Sequence, residues 1–289
     1  MRLEAAGLSG RVTFVTGPGK GSGKTTLLNY ALGLLRAAGE SPAFLGVGFD
    51  GEARAADSRA PRIPCRAGEV FVSAERYLRS SACLPELLEA LPGTTALGRL
   101  AVARAGRDGL AVLVGPERNE HTAFAIDAIR DAGWARTVLV DGAMNRVTQV
   151  ASLSGARFLF AVRASPGDLD RNVRAMRRIY ELSRLPVEGG IELPGAVARL
   201  DGPLTAQTLA RVPPEAKSLV VEDFTKVFLE GPSLAALRRG RVLAVERGLD
   251  FGGFVVSLRD LPRKRFADAL GDPAIEALVD YDPYEASHG

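Results

Sequence analysis

The sequence predicts an α/β fold in which a mostly parallel sheet carries helices on both faces, giving three αβα layers. Two observations support this prediction. Short apolar, β-branched runs alternate with longer segments whose apolar residues recur at helical spacing. A strand, a helix and a second strand also follow one another near the start of the chain, and such a βαβ unit requires a parallel pair with a right-handed crossover.

The first βαβ unit is predicted over residues 12–48. Residues 12–16 form an apolar run of strand length that ends in glycines. Residues 25–38 carry apolar side chains on one helical face, and Gly39 is a typical helix stop. Residues 42–48 form the second strand of the unit.

The alternation of strands and helices continues along the chain. Proline and glycine cluster after a predicted helix at residues 186–194, which are either a linker or a loop over a continuing sheet. We expect a core over residues 1–200 and a C-terminal α/β extension over residues 201–289 that packs on the same sheet. Further strands are predicted at 110–114, 138–140, 158–162, 197–200, 219–221, 242–245 and 254–257, and further helices at 122–132, 168–184 and 204–210.

Composition narrows the class of protein. The 289 residues are 46% hydrophobic and 25% charged, as in soluble globular proteins, and a formal charge of +3 gives no reason to infer a nucleic-acid partner. Cys65 and Cys83 have no paired Cys or His at metal spacing, so we expect no zinc site. The presence of only two cysteines fits a reduced, cytoplasmic setting. We expect neither a signal peptide nor a membrane span. The oligomeric state is open, and a homodimer is compatible with the sequence.

A phosphate-binding loop is predicted at residues 17–26, which read Gly-Pro-Gly-Lys-Gly-Ser-Gly-Lys-Thr-Thr. The segment follows a strand and opens a helix, which is the context that such a loop requires. Glycines let successive amides point at phosphate oxygens, Lys24 would reach the β- and γ-phosphates, and the Thr25 hydroxyl would bind Mg²⁺. The predicted nucleotide-binding residues are Gly17, Gly19, Gly21, Ser22, Gly23, Lys24, Thr25 and Thr26. We therefore predict a P-loop NTPase that uses Mg²⁺.

The spacing of this loop is unusual. Gly17 lies seven positions before Lys24, and Pro18 stands where the common pattern has glycine. The loop resembles that of dethiobiotin synthetases and cobyrinic-acid amide synthetases, a branch of P-loop proteins. The alternative is a glycine-rich turn that binds no ligand. Since no Asn-Lys-x-Asp segment for guanine recognition follows a late strand, ATP is favoured over GTP.

Two acids are candidates for holding Mg²⁺ beside the loop. Asp141 ends the apolar run 138–140, and Asp50 follows the second strand. Each is followed by glycine, so a tight turn is the alternative interpretation of both. We predict Thr25, Asp50 and Asp141 as metal ligands, and Lys24, Asp50 and Asp141 as the catalytic residues.

Four stretches together resemble the P-loop subunit of lysine 5,6-aminomutase reactivase. They are residues 17–26, 47–52, 139–146 and 221–228. The resemblance implies an ATP-dependent helper that restores an adenosylcobalamin-dependent aminomutase, together with a second, MutS-related subunit. It also implies that Gly17, Gly21, Gly23, Lys24 and Thr25 bind the nucleotide and that Asp50 and Asp141 serve the metal.

Two other functions stay open. An ATP-dependent ligase or small-molecule kinase would use the γ-phosphate to activate an acceptor. Neither Cys65 nor Cys83 has a recognisable His partner, so the sequence contains no evident amidotransferase cysteine. A nucleotide-binding module without turnover is the third candidate, which Thr25 and the two acids disfavour.

Overall fold

A nine-stranded sheet organises the chain in a computed structural model that describes residues 2–47, 62–95, 97–142, 156–229 and 231–284. Its strand order is β14-β13-β9-β1-β8-β2-β4-β6-β5. The strands are β1 (Val12–Thr16), β2 (Ala43–Gly46), β3 (Arg62–Cys65), β4 (Val70–Ala74), β5 (Glu86–Thr95), β6 (Gly98–Arg104), β7 (Gly109–Val112), β8 (Val138–Asp141), β9 (Arg157–Ala164), β10 (Ala196–Leu200), β11 (Ala216–Val221), β12 (Val242–Val245), β13 (Asp250–Leu258) and β14 (Val279–Tyr281).

Pairing in this sheet is parallel from β14 to β4, and the hairpin β5–β6 adds two antiparallel pairs at one edge. Helices cover both faces, so the predicted α/β fold class is confirmed. The helices are α1 (Lys24–Ala37), α2 (Glu75–Arg79), α3 (Asn119–Asp131), α4 (Leu169–Ser183), α5 (Ala206–Leu209), α6 (Gly231–Gly240), α7 (Arg263–Leu270) and α8 (Pro273–Glu276). None of these described helices is long and apolar enough to cross a membrane.

The alternation of side chains along β1 divides the core between the two faces of the sheet. Phe14 joins the hydrophobic cluster on the face that carries α3, α4 and α7, while Val15 joins the cluster beneath α1. Helix α1 contributes Leu28 and Leu35 to that second cluster, as its predicted apolar face requires. Gly39 ends the helix as predicted: its φ is +80°, and the next amide, that of Glu40, donates to the Leu35 carbonyl at 2.9 Å.

The chain reverses its direction across the sheet between β1 and β8. From β1 it passes through α1 to β2 on one side, whereas after β8 it continues to β9 on the other side of β1. In open α/β sheets, ligands bind outside the carboxyl ends of the strands at such a switch point. The topology therefore marks the carboxyl ends of β1 and β8 as the place to look for a site.

Two smaller sheets flank the main one. Strands β10, β11 and β12 form a parallel sheet, and β3 pairs antiparallel with β7. Residue 200, where the predicted core ends, is also the end of β10, which pairs with β11 of the predicted extension. That extension also contributes β13 and β14 to the nine-stranded sheet.

The small parallel sheet packs on the main core near the amino end of β9. Phe224, just beyond β11, lies 5.5 Å from Phe158 between ring centroids. From α4, the guanidinium of Arg178 donates to the carbonyls of Val227 and Leu229 at 2.8 and 2.6 Å. The ring packing and the two hydrogen bonds to carbonyls together anchor the segment after β11 to the main sheet.

A buried ion pair holds the middle of the chain against α1. Arg36 donates through Nε and Nη2 to the two carboxylate oxygens of Glu69, each at 2.7 Å, and the two side chains are only 10% and 2% exposed. Glu69 also accepts from the Arg66 amide at 2.8 Å, and Arg36 donates to the Pro64 carbonyl at 2.8 Å. The bidentate geometry satisfies both charges away from water.

Replacing Glu69 should therefore be costly. We expect Glu69→Ala to lower the free energy of unfolding by about 3–5 kcal/mol, because it leaves the Arg36 guanidinium buried without its carboxylate. Urea denaturation followed by circular dichroism measures this loss. The matched control is Glu86→Ala, which removes the exposed pair with Arg104 at 3.4 Å and should cost less than about 1 kcal/mol. Equal losses in the two variants would contradict the assigned role of the buried pair.

Candidate functional site

The predicted phosphate loop joins β1 to α1 at the switch point of the sheet. Gly21 and Gly23 have φ angles of +77° and +92°, a conformation that residues with a Cβ rarely adopt. Gly23 is the N-cap of α1 and has no side chain with which to accept the first amides of the helix. The amino end of a 14-residue helix therefore points its amides and its positive dipole end at the loop.

The loop is closed tightly on itself and on β9. A Cβ at Gly17 would overlap Ser22 Oγ and would lie 2.7 Å from the Ala161 carbonyl oxygen. Ser22 is buried, and its hydroxyl donates to the Gly19 carbonyl at 3.0 Å. The glycine seven positions before Lys24 is thus required by close contact with two neighbouring segments, and Ser22 ties the two limbs of the loop together.

The ammonium group of Lys24 lies inside the loop. Its Nζ donates to the Gly19 carbonyl at 2.7 Å and lies 3.4 Å from Ser22 Oγ. A positive charge thus faces the same concavity as the amides at the start of α1. Such a combination suits an anion with several oxygens, since both the amides and the ammonium can donate to it.

The structure brings Thr25 and Asp141 together, as the sequence predicts. Thr25 Oγ1 donates to Asp141 Oδ2 at 3.3 Å, across the gap between α1 and the end of β8. The pairing of Asp141 with Val15 and with Gly46 places the carboxylate at this point. Burial raises the pKa of the Asp141 carboxyl, and the charge of Lys24 and the hydrogen bond from Thr25 oppose that rise.

A hydroxyl and a carboxylate beside a phosphate loop are oxygen donors of the type that Mg²⁺ prefers. Within the described ranges, no group of three His, Cys, Asp or Glu side chains could hold a metal ion by itself.

The remaining predicted residues fall into two groups. Gly19 and Gly21 lie in the loop, and Thr26 lies on the first turn of α1 with an exposed side chain. Asp50 lies outside the described residues, so its part in metal binding stays a prediction.

Sequence reasoning missed two backbone neighbours of the site. The Ala161 carbonyl on β9 limits position 17, and the loop after β7 presses on the carboxyl end of β2, where a Cβ at Gly115 would overlap the backbone oxygen of Gly46. Both contacts join residues far apart in sequence through main-chain atoms. Only the glycine at 115, in a Gly-Pro pair after a strand, gave a local signal.

Helices on both faces of the mostly parallel sheet give the chain three αβα layers. No protein-family model and no curated protein matches the sequence. Among solved structures, the chain is similar to the MinC:MinD cell division protein complex of Aquifex aeolicus, with 12% identity over 93% of this chain and 92% of that chain and a TM-score of 0.34. So distant a likeness carries no argument, and the interpretation of residues 17–26 as a phosphate loop rests on the strand before them, the helix after them and the parallel sheet.

The crowding at Gly17 gives a direct test of the loop geometry. We expect Gly17→Ala to lower the free energy of unfolding by about 1–3 kcal/mol, because the new Cβ must displace Ser22 and the β9 backbone. The matched control is Gly19→Ala, whose Cβ would meet nothing within 4 Å and which should change stability by no more than about 0.5 kcal/mol. Chemical denaturation of both variants checks this, and a Gly17→Ala protein as stable as the control would show that the loop is held differently.

Proposed function

We propose that this chain binds ATP with Mg²⁺ at the loop of residues 17–26 and hydrolyses it. The observation that carries the proposal is the contact of Thr25 with Asp141 at 3.3 Å, directly beside the Lys24 ammonium. A simple strand–helix turn would need no lysine folded into its concavity and no carboxylate facing its first helical turn. Both features match the parts that a phosphoryl-transfer site requires.

Each residue has a defined role in this proposal. The loop amides and Lys24 bind the β- and γ-phosphates, and Lys24 exchanges its bond to the Gly19 carbonyl for a phosphate oxygen. Thr25 and Asp141 would hold Mg²⁺, which when bound neutralises charge on the β- and γ-phosphate oxygens. Asp50 serves the metal or orients the attacking water. Since the Asp141 carboxyl is buried, a cation close to it favours its ionised form.

The client of this activity is proposed from the resemblance to the reactivase subunit. The stretch 221–228, which carries part of that resemblance, lies away from the loop. Phe224 packs on Phe158 near the amino end of β9, whereas the loop follows the carboxyl end of β1, which runs parallel to β9. We propose that the chain couples ATP hydrolysis to restoring an adenosylcobalamin-dependent lysine aminomutase, with a MutS-related second subunit.

The alternative proposal is an ATP-dependent ligase or small-molecule kinase. The seven-position interval from Gly17 to Lys24 favours it, because the loops of dethiobiotin and cobyrinic-acid amide synthetases have this longer form. It predicts phosphate release that depends on a small carboxylic acid or amine. Failure of every member of a panel of such acceptors to stimulate release would count against it.

The lysine variant tests nucleotide binding. We expect Lys24→Ala to weaken ATP binding about 10- to 150-fold, because a charge-assisted hydrogen bond to phosphate contributes about 1.5–3 kcal/mol. Isothermal titration calorimetry measures the change. The matched control is Lys217→Ala, which replaces an exposed lysine on β11 and should bind ATP as the wild type does. Unchanged ATP affinity in Lys24→Ala would refute the site.

The acid variant tests the metal. In Asp141→Asn, nucleotide should still bind without Mg²⁺, while the rate of hydrolysis and its dependence on Mg²⁺ should fall.

Partner dependence separates the two client proposals. We expect slow hydrolysis by the isolated chain and acceleration when the second subunit and an inactivated aminomutase are added together, because ordering of loops around the γ-phosphate is what a partner can bias. Phosphate release is measured with and without these proteins, and with Lys24→Ala as the background control. A rate that does not change in their presence would remove the reactivase proposal and leave the binding site untouched.

A further inference from the structure

The chain's two cysteines meet at a single glycine. Cys65 ends β3 and is the antiparallel partner of Gly109 in β7. Cys83, in the turn between α2 and β5, lies so close that a Cβ at Gly109 would be 3.0 Å from both its N and its Cβ. Two residues that are 18 positions apart therefore flank the same backbone position from different segments.

Their side chains also interact. Cys83 lies close enough to the Cys65 thiol to help raise its pKa, and both residues are buried, at 3% and 0% exposure. Ser81 Oγ lies 2.9 Å from Cys83 Sγ. Residue 109 has no side chain to separate the two thiols, so they lie in one pocket as free cysteines.

The surroundings of the pair disfavour a catalytic use. Burial, and next the neighbouring Cys83, raises the pKa of the Cys65 thiol to about 12, so it is protonated at neutral pH and is a poor nucleophile. Nucleophilic catalysis therefore does not explain why the two thiols lie together.

We propose that Cys65 and Cys83 are a disulfide-forming site, at which oxidation links β3 to the turn that precedes β5. A bond forms between the two sulfur atoms as both S–H bonds break. The two electrons and two protons pass to a small-molecule disulfide, whose S–S bond breaks to give two thiols. This proposal does not depend on the nucleotide site.

The disulfide would join two segments that few strand-pairing hydrogen bonds hold in place. Strand β3 pairs with β7 in a two-stranded sheet, an arrangement of low stability by itself. The Cys83 carbonyl holds the turn before β5 in place, because it accepts hydrogen bonds from the amides of Gly106 and Arg107 at 3.0 and 3.1 Å. A covalent bond across this junction also restricts the unfolded chain, so it stabilises the oxidised protein.

Burial makes the reaction slow in the folded state. Thiol–disulfide exchange needs a thiolate and access to the oxidant. Burial in the closed turn keeps the thiols protonated and shields them from the oxidant. Exchange must therefore proceed while the turn around Cys83 is open. Mild urea and higher pH should each speed it, whereas a pair of exposed thiols would react at once under all conditions.

The experiment uses the full chain equilibrated with glutathione disulfide, with and without urea below the unfolding transition. Remaining thiols are blocked with N-ethylmaleimide, and the intact mass, a peptide map and the thermal midpoint are recorded. We expect a monomer lighter by two hydrogen atoms that takes no label, a peptide joining residues 65 and 83, and a thermal midpoint several degrees higher that returns to its starting value with reductant.

The single variants Cys65→Ser and Cys83→Ser serve as controls. Each should give only a glutathione adduct or a linked dimer, without the rise in midpoint. The proposal is overturned if the equilibrated wild-type chain keeps two free thiols, or gives adducts and dimers alone, both with and without urea. An oxidised monomer with a lower thermal midpoint than the reduced chain would also overturn it.

Discussion

The candidate functional site depends on the parallel pairing of β1 with β8. This pairing sets Asp141 opposite Val15, two residues before the loop begins, so the carboxylate reaches the first turn of α1 and accepts from Thr25 at 3.3 Å. A shift of one residue along β8 would turn the carboxylate to the other face of the sheet. The amide of Gly142 donates to the Val15 carbonyl at 3.0 Å, and that of Val47 to the Asp141 carbonyl at 2.9 Å. The register is therefore held by hydrogen bonds from both neighbouring strands.

The loop is held in its shape by contacts within itself and with β9. Gly17 is packed against Ser22 and the Ala161 carbonyl, and Ser22 bonds across the loop to Gly19. A phosphate bound there, as proposed, would meet amides that these contacts orient, which would reduce the ordering cost of binding. Lys24 is the exception, because its ammonium is bonded to the Gly19 carbonyl and would have to give up that bond. The exchange would be favourable, since a bond to a charged phosphate oxygen is stronger than a bond to a neutral carbonyl.

The sequence predicted the parts of the fold whose signals are local. Strand β1, helix α1 and the loop between them follow from short-range periodicity and glycine placement, and Asp141 was found because it directly ends an apolar run. Strand β5 was not assigned. Its residues 86–91 read Glu-Leu-Leu-Glu-Ala-Leu, which are all good helix formers, and only pairing with β6 makes them a strand. The contact of Ala161 with the loop could not be predicted either, because it involves a main-chain oxygen from a distant strand.

Strand β9 connects the phosphate loop to the small parallel sheet. The Leu159 carbonyl accepts from the Thr16 hydroxyl at 3.0 Å, and the Ala161 carbonyl borders Gly17. Phe158, the residue before Leu159, packs on Phe224 beyond β11. Ordering the loop around a γ-phosphate, as proposed, would act on carbonyls of β9, and the same strand carries the ring that packs on Phe224. Coupling of the loop to a bound protein would need two arrangements of such a packed element, with each site biasing the equilibrium between them.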